Sequence, residues 1–359
     1  MGTAAARELA TRGRETLVLE RFTPGHANGS SGGPTRIFRY AYHREDYVRL
    51  VMLAREAWNE LEAAAGEQLL RVTGGIDVGP EALRRAGLLE SAGVPVECMR
   101  GSEARDRWPS LWLPAEADVV FQPDGGVLRA APTVMAQARL AAGAGATLRT
   151  ETTVTDIAVR TDGVVEVRTE GGERFAAPVA IVAAGAWAGT LLSQVGIEIS
   201  LRPNLEQSTY FRLEDTEAAL PTVIDWLVHA EQPPYLVPDP WDPGSFKVGL
   251  HRAGPTTDAD ARTFDPDPVR VARAVDYVTS HVPGARATGR TDTCLYTITP
   301  DEDFVLDRVG PIVVASPCSG HGFKFVPLFG RALGDLATGV EPPFDRSAFR
   351  LDRPGLASR

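Results

Sequence analysis

Cysteine is scarce in this sequence. It occurs three times in 359 residues, as Cys98, Cys294 and Cys318, and three widely spaced cysteines do not make a disulfide framework. The start of the chain also lacks the charged-then-apolar pattern of a secretory signal. We therefore expect a protein of the reducing cytoplasm.

Basic charge and long apolar runs are missing as well. The formal net charge is −10, and no basic run is interleaved with aromatic residues, which argues against a nucleic-acid partner. No apolar stretch approaches the roughly 20 residues that cross a bilayer, so we expect no membrane insertion. We expect no metal site either. The remaining composition is that of a soluble globular protein. A length of 359 residues is more than one hydrophobic core usually serves, so we predict two interlocked domains.

The chain opens with MGTAAARELATRGRETLVLERF. Small apolar residues between Ala4 and Ala10 recur at helical spacing, Arg12-Gly13 ends that pattern, and Glu15 to Glu20 reads as a short strand. In dinucleotide-binding folds a glycine packs the first helix on the sheet, and an acidic residue about 20 positions later binds the ribose. Gly2 and Glu20 fit those roles, although a surface helix followed by an edge strand fits the same residues.

A loop rich in Gly, Ser and Asn follows this strand. It reads TPGHANGSSGGPTRIFRYAY and ends in Thr35, Arg36 and Arg39, before a helix predicted from about Tyr47 to Ala65. Such loops let backbone amides approach a ligand closely. A solvated glycine loop with surface arginines is the alternative.

A second small-residue turn lies near the C-terminus. An apolar strand, Ile312 to Ala315, leads into Ser319, Gly320, His321 and Gly322, and a helix follows. Free N–H groups at a helix start point one way, so this geometry predicts a site for an anion or a polar ring.

Three motifs in this order carry a resemblance. They are N-G-S-x-x-G-x-T-R-x-x-R from Asn28 to Arg39, C-x-Y-T from Cys294 to Thr297, and S-G-H-G-F-K from Ser319 to Lys324. The chain resembles the monomeric sarcosine oxidase and N-methyltryptophan oxidase branch of the D-amino-acid-oxidase-like flavoproteins. AIVAAGAWAGTLL (180–192) and FKVGLHRAG (246–254) are similar to further segments of that family.

The resemblance implies FAD as the cofactor. Cys294 matches the cysteine that the family joins to the flavin through a thioether, and a structural thiol is the alternative. The positions that match cofactor-contacting residues are Gly2, Glu20, Ser30, Thr35, Arg36, Val154, Gly185, Trp187, Cys294, Gly320, His321, Gly322, Phe323 and Lys324.

The resemblance also implies the substrate side of the site. Arg39 and Lys324 match the cationic pair that binds the substrate carboxylate, and Lys247 matches the lysine credited with activating oxygen. Surface charges are the alternative for all three. The polar groups expected around the substrate are Tyr235, His251 and Tyr296, of which the histidine could equally be a core residue.

By the same resemblance the fold is α/β: a Rossmann-like FAD-binding domain with an inserted mixed-sheet substrate domain. We assign 1–75, 130–190 and 290–345 to the FAD-binding domain, and 76–129 with 191–289 to the substrate domain. VVEVRTEGGERF, between Thr152 and Phe175, predicts a β-hairpin turning at Glu-Gly-Gly.

The function implied is flavin-dependent oxidation of a secondary amino acid, N-methyl or cyclic, by a monomer that passes electrons to O2 and gives H2O2. Two alternatives stay open: a dehydrogenase or biosynthetic imino-acid oxidase, and a non-catalytic remnant that cannot hold FAD. Pro317, Cys318 and the proline-rich VPDPWDPGSF segment depart from the family pattern. They put a second thiol near the flavin and leave the side-chain pocket unpredicted.

The first strand and first two glycines of the dinucleotide unit have no counterpart here. We expect a start roughly 13 to 17 residues upstream, with Met1 an internal methionine, since one strand plus its turn has that length. As given, the chain is expected to expose an unpaired sheet cleft and to bind FAD poorly.

Overall fold

The computed structural model describes residues 1–356, and they form a mixed α/β fold. The helices are α1 (Gly2–Thr11), α2 (Glu45–Ala65), α3 (Pro80–Ser91), α4 (Gly101–Arg107), α5 (Ala130–Gly143), α6 (Ala188–Ser193), α7 (Pro268–His281) and α8 (Val326–Thr338). The strands are β1 (Leu17–Leu19), β2 (Thr35–Phe38), β3 (Leu70–Val72), β4 (Gly75–Val78), β5 (Glu97–Arg100), β6 (Asp118–Gln122), β7 (Gly126–Arg129), β8 (Thr147–Arg149), β9 (Val154–Val159), β10 (Val165–Thr169), β11 (Arg174–Ala177), β12 (Ala180–Val182), β13 (Arg202–Leu213), β14 (Thr222–Asp225), β15 (Pro234–Pro238), β16 (Ser245–Leu250), β17 (Ala285–Ile298), β18 (Val305–Val309) and β19 (Ile312–Ser316).

Short parallel strands and three helices form one half of the molecule. β1 pairs in parallel with β8, and β12 pairs in parallel with β19, whose other neighbour β18 is antiparallel. Helix α1 packs against α5 and α8. Its alanines allow this close approach: a Cβ built on Gly330 of α8 would lie 2.7 Å from the Cβ of Ala4.

Three antiparallel strands, β9, β10 and β11, form a separate small sheet. β10 and β11 are joined by the Glu170-Gly171-Gly172 turn, in which Gly172 has a φ of 81°. A positive φ of this kind is readily available to glycine. The predicted β-hairpin is confirmed.

An eight-stranded mixed sheet forms the other half. Its order is β17-β13-β16-β15-β14-β4-β6-β5. All pairs are antiparallel except β14 with β4. Helix α7 packs against β13 and β16, where Tyr277 and Val278 join the apolar core beneath the sheet. One face of the four strands from β17 to β15 is turned toward the other half of the molecule.

A three-stranded sheet, β2-β7-β3, lies at the junction of the halves. Its strands approach closely, since a Cβ on Gly126 would lie 2.2 Å from the carbonyl oxygen of Arg71. Helix α2 packs nearby and buries Trp58 completely. The segment that carries Arg36 and Arg39 therefore lies in this packed junction, beside the three-stranded sheet and helix α2.

The sequence located these elements well but not always their ends. The helix predicted from Tyr47 to Ala65 begins two residues earlier, and the strand predicted over Glu15 to Glu20 is limited to β1. It is short because its partner β8 has only three residues, although the Glu20 N–H still donates to the Arg149 carbonyl at 2.8 Å. Among the described residues, no helix combines the length and apolar character needed to span a bilayer.

Candidate active site

A cavity of about 1440 Å³ runs between the two halves. It extends from β1, β9 and β12 at one end to the face of the large sheet at the other. Ligand pockets for compact molecules usually measure about 300–1,000 Å³. The cavity is therefore large enough for a dinucleotide with a small molecule beside it.

The outer end is formed by residues at the ends of short strands. Glu20 follows β1, and its carboxylate accepts from the Phe22 N–H at 2.9 Å. The cavity lining there also includes Val154 and Gly185. Gly2 is less constrained than expected, because the nearest atom to a Cβ built on it is the Cβ of Ala183 at 3.8 Å.

Trp187 closes one side of this outer end. Its Nε1 donates to Asp260 Oδ1 at 2.9 Å, and Arg21 Nη1 reaches the same oxygen at 2.5 Å. The guanidinium also lies over the indole, 5.5 Å from its centroid. These contacts join segments of both halves across the mouth of the cavity.

The glycine loop is shaped by Arg36. Its Nη2 donates to the carbonyls of Ser30 at 2.8 Å and Gly32 at 2.7 Å, and its Nη1 donates to the Thr35 carbonyl at 2.7 Å. Gly32 has no room for a side chain, since a Cβ there would lie 2.5 Å from the His26 carbonyl. The loop is thus a packed wall of the cavity rather than a solvated segment.

Lys247 extends from the middle of β16 into the cavity and is 7% exposed. Its Nζ donates to the Thr35 carbonyl at 2.8 Å. Burial, aided by Arg36, lowers the pKa of this lysine to about 7. Lys247 is therefore mainly protonated only below that pH, because a group that is desolvated and faces a second cation favours its neutral form.

Cys294 lines the cavity from β17. Burial raises the pKa of its thiol. Directly opposite, on β13, lies Glu206, whose carboxylate accepts from the Gly254 N–H at 3.1 Å. Burial raises the pKa of Glu206 to about 7. Sequence reasoning missed this glutamate, since only the register of two strands 88 positions apart places it beside the cysteine.

Lys324 forms the centre of a buried cationic cluster. Its Nζ donates to the Tyr42 hydroxyl at 2.8 Å and to the His321 carbonyl at 2.9 Å. Arg39 lies over the same tyrosine ring, 5.0 Å from its centroid, and its Nη1 donates to the Ala41 carbonyl. Burial and the Arg39 charge lower the pKa of Lys324. An anion bound here would relieve both effects.

Tyr42 is a second residue that the sequence did not single out. Besides Lys324, its hydroxyl contacts His321 Nδ1 at 3.0 Å. Burial raises its pKa, so the phenol stays neutral. The one available signal was its place three residues after Arg39, in RYAY.

His251, Tyr235 and Tyr296 lie together on the sheet side of the cavity. The His251 and Tyr296 rings are 5.8 Å apart, and the Tyr235 hydroxyl contacts Ser208 Oγ at 3.1 Å. Burial, with nearby cations, lowers the pKa of His251 to about 3, and burial raises that of Tyr235 to about 12. All of these groups are therefore neutral at physiological pH.

The S-G-H-G turn packs against Tyr296. A Cβ on Gly320, whose φ is 79°, would lie 2.4 Å from the tyrosine Cε2. A Cβ on Gly322 would lie 1.7 Å from the Pro317 carbonyl. Both glycines are thus required by space, and Phe323 begins a single helical turn directly after them.

The expected row of free N–H groups in this turn is wrong in part. The Ser319 N–H donates to the Thr297 carbonyl at 2.9 Å, and those of His321 and Gly322 donate to the Cys318 carbonyl at 3.0 and 3.1 Å. Two of these N–H groups are satisfied within the tight turn, and that of Ser319 is satisfied by β17. The Cys318 thiol lines the cavity and lies 3.5 Å from Ser30 Oγ.

The described residues hold no group of three or more His, Cys, Asp or Glu placed to bind a metal ion. The cavity combines a dinucleotide-sized channel, the cationic cluster of Arg39 and Lys324, and the buried Lys247. Such a cavity, at the ends of parallel strands, defines an enzyme that uses a dinucleotide cofactor.

Comparisons with known proteins specify this class. Residues 1–336 match the family described as FAD dependent oxidoreductase, DAO. The chain is 33% identical to the monomeric sarcosine oxidase of a Bacillus species over 372 residues, covering 99% of this chain and 95% of that protein. It is 29% identical to the N-methyl-L-tryptophan oxidase of Salmonella heidelberg, covering 98% and 95%.

A solved structure is similar over the same length. It is that of NikD, described as an unusual amino acid oxidase essential for nikkomycin biosynthesis, at 28% identity and a TM-score of 0.88, covering 97% of this chain and 94% of that one. The chain belongs to the FAD dependent oxidoreductase family. The Rossmann-like FAD-binding fold with a second, substrate-binding domain is confirmed.

The residues around the cavity fit FAD. At the inner end, Gly320 and Gly322 carry no side chains because Tyr296 and the Pro317 carbonyl occupy the space where a Cβ would lie. Cys294, Lys247 and Tyr296 line the cavity from the sheet beside this turn. Glu20 lines the other end, where its carboxylate could accept hydrogen bonds from a ribose.

Proposed function

We propose that this protein is an FAD-dependent amine oxidase that oxidises the C–N bond of a secondary amino acid, N-methyl or cyclic, and reduces O2 to H2O2. The observation that supports this most is the cluster of Arg39, Lys324 and Tyr42 at the inner end of a dinucleotide-sized cavity. A small amino acid carboxylate matches that cluster in charge and size.

Bound FAD would supply the redox chemistry, since it accepts a hydride equivalent from the carbon next to the amine nitrogen. Arg39 and Lys324 bind and orient the substrate carboxylate through charge-assisted hydrogen bonds. The Lys324 ammonium already donates two hydrogen bonds within the protein, to Tyr42 and His321. Its third N–H is left for the substrate, which fixes the carboxylate in one place.

His251 and Tyr296 act on the amine end of the substrate. The neutral imidazole, with a pKa of about 3, accepts a hydrogen bond rather than repelling a cationic amine. Tyr296 and Tyr235 add hydroxyl groups without charge. A binding site without a fixed charge at this end favours the uncharged amine, which is the form that can lose a hydride.

Lys247 serves the oxygen half of the reaction. Its ammonium points into the cavity from the sheet and is held by the Thr35 carbonyl. When protonated, it stabilises the negative charge that develops on O2 as it accepts an electron. Arg36 and Lys247 together make this wall of the cavity positive.

Cys294 is proposed as the covalent attachment point of FAD. It lines the cavity on the wall that carries Lys247 and Tyr235, and its thiol is buried from solvent. Acid-precipitated protein should stay yellow, and one tryptic peptide containing Cys294 should gain the mass of one FAD. Complete release of flavin into the supernatant would refute the attachment, and Cys294→Ala should hold FAD only without a covalent bond.

The remaining parts of the proposal concern organisation. The domain boundaries given above, the cofactor-contacting set from Gly2 to Lys324, and a monomer acting on a small amino acid and O2 are part of it. The similarity to a monomeric sarcosine oxidase and to an N-methyl-L-tryptophan oxidase supports a small amino acid as the substrate.

Aerobic turnover tests the activity. Protein supplied with excess FAD should become yellow and should release H2O2 with sarcosine or a larger N-methyl amino acid. Reduction of an artificial electron acceptor without oxygen consumption would favour a dehydrogenase. Turnover of cyclic imino acids alone would favour a biosynthetic oxidase, the kind of enzyme that NikD is described as. A colourless protein that takes up no added FAD would refute the proposal.

A further inference from the structure

A chain of buried hydrogen bonds connects two walls of the cavity that belong to different parts of the fold. It begins at Trp226, which lines the cavity beside Ile224. The indole Nε1 donates to Asp77 Oδ1 at 2.9 Å, and the other carboxylate oxygen accepts from Gln122 Nε2 at 2.8 Å. Asp77 and Gln122 are each 1% exposed.

The chain continues to the carboxylate-binding cluster. Gln122 Oε1 accepts from the backbone N–H groups of Tyr40 and Ala41, each at 2.8 Å. The Ala41 carbonyl in turn accepts from Arg39 Nη1. A single buried path therefore runs from Trp226 through Asp77, Gln122 and Ala41 to Arg39.

Each donor and acceptor in this path is determined. Backbone N–H groups can only donate, so Gln122 must present its oxygen to Tyr40 and Ala41 and its amide nitrogen to Asp77. The indole also can only donate. Asp77 is therefore required to accept on both oxygens, which an ionised carboxylate does and an asparagine cannot.

Arg85 packs against one face of the Trp226 indole. Its guanidinium lies 3.9 Å from the Trp226 ring centroid, a cation–π distance, and its Nη1 is 3.8 Å from Asp77 Oδ1. Trp226 is thus held at its nitrogen and stacked on one face. The indole of Trp226 lines the cavity and also donates a hydrogen bond directly into this path.

We propose that Asp77 and Gln122 are positioning residues that set, together, the place of Arg39 and of the Trp226 wall, and so determine which amino acid side chains the site accepts. This inference rests on the proposed function. It makes recognition of the carboxylate and exclusion of bulky side chains two outcomes of one hydrogen-bond path. An apolar wall of Trp226 and Ile224 suits small or apolar substituents.

The test exchanges donor and acceptor along the path. Asp77→Asn places an N–H₂ group against a second donor, and Gln122→Glu places two carboxylates face to face. In the double variant the amide introduced at position 77 donates to the carboxylate introduced at position 122, whose other oxygen still accepts from Tyr40 and Ala41. The hydrogen bond between positions 77 and 122 is restored in the opposite direction, those from Trp226, Tyr40 and Ala41 keep their direction, and the net charge is unchanged.

Sodium acetate, at constant ionic strength, is the probe for the carboxylate cluster. Its dissociation constant is measured by calorimetry and by the change in flavin absorbance. Each single variant should weaken acetate binding roughly tenfold, because one buried polar group is left unpaired. Each should also change the ratio of kcat/KM for sarcosine to kcat/KM for N-methyltryptophan. The double variant should return both quantities to within about twofold of the wild type.

Asp307→Asn is the matched control for lost stability. Asp307 is a buried carboxylate that accepts from Arg346 and from the Leu351 N–H, in the part of the fold away from the cavity. It should lower the Tm without changing acetate affinity. If the single variants do not fold, recovery of soluble, acetate-binding protein in the double variant supports the proposal, and failure of that variant overturns it.

Two results overturn the inference directly. One is wild-type acetate affinity in both single variants, and the other is a double variant no better than either single one. Failure of the wild type to oxidise any N-methyl or cyclic amino acid would instead refute the proposed function, and the acetate titration would still decide whether the path positions Arg39.

Discussion

Binding of a carboxylate should be accompanied by proton uptake at Lys324. Burial and the Arg39 charge lower the pKa of this lysine, so its neutral form becomes populated at a lower pH than that of a solvent-exposed lysine. A bound anion restores the charged form. Above the pKa of the free lysine, log Kd for acetate should therefore rise with pH, with a slope that approaches one.

The magnitude follows from the contacts. Two of the three N–H groups of Lys324 are used by Tyr42 and His321, which leaves one charge-assisted hydrogen bond for the ligand. A bond of this kind contributes about 1.5–3 kcal/mol, or a factor of about 10 to 150 in affinity. Lys324→Met should weaken acetate binding by that factor at low pH and abolish the slope.

Calorimetry in two buffers of different ionisation enthalpy measures the proton count directly. Lys247 also titrates near pH 7 and faces the same cavity, so the measurement is made in a Lys247→Met background. His251 is neutral throughout the range used and adds nothing. Acetate binding that is independent of pH, with no proton uptake, would refute this account of Lys324. Equal losses of Lys324→Met on an amino acid and on its decarboxylated amine would also contradict it.

Three further predictions test other parts of the site. The pKa of Lys247 is lowered to about 7, so the rate of flavin reoxidation by O2 should fall as pH rises through that value. In stopped-flow measurements, Lys247→Met should reoxidise slowly at every pH. The anaerobic reduction of its flavin by substrate should be little changed. Gly320→Ala should reduce FAD retention, because it places a Cβ 2.4 Å from Tyr296 at a position whose φ is 79°. Gly310→Ala is the control, since Gly310 has a φ of 57° but open space around it. This control carries only the cost of a left-handed backbone, about 1–2 kcal/mol. Burial raises the pKa of Glu206 from 4.5 to about 7, so its folded state binds the proton more tightly and the free energy of unfolding falls as pH rises between those values. Glu206→Gln should remove about 3 kcal/mol of that fall and raise the Tm at pH 8 by about 4 °C; a Tm at pH 8 equal to the wild type would count against this.

Local sequence patterns predicted the parts of the site that lie close together in the chain. Ser319 to Lys324 form one strand-turn-helix unit, so their order alone indicated the turn, the tight glycines and the lysine. The same holds for the loop that ends at Arg39. Cofactor, fold class and family followed from these motifs in their order.

The residues missed by the sequence are those whose role depends on distant pairing. Asp77 contacts Trp226 across 149 positions and Gln122 across 45. Glu206 meets Cys294 only through the register of two long strands. Buried acids in strands carry no local signal of their own, because alternation identifies the face of a strand but not what lies opposite.

The register of the large sheet makes the spacing of its loops as important as its side chains. Tyr235 and Lys247 face the cavity from the two strands of the β15–β16 hairpin, joined by the proline-rich loop 239–244. Side chains alternate along a strand, so deleting one loop residue and shifting the pairing by one would turn Lys247 into the sheet's other layer and bring Phe246 or Val248 forward. A loop that does not line the cavity therefore decides whether the lysine faces it, and insertions or deletions there would change the cavity wall without replacing any residue of that wall.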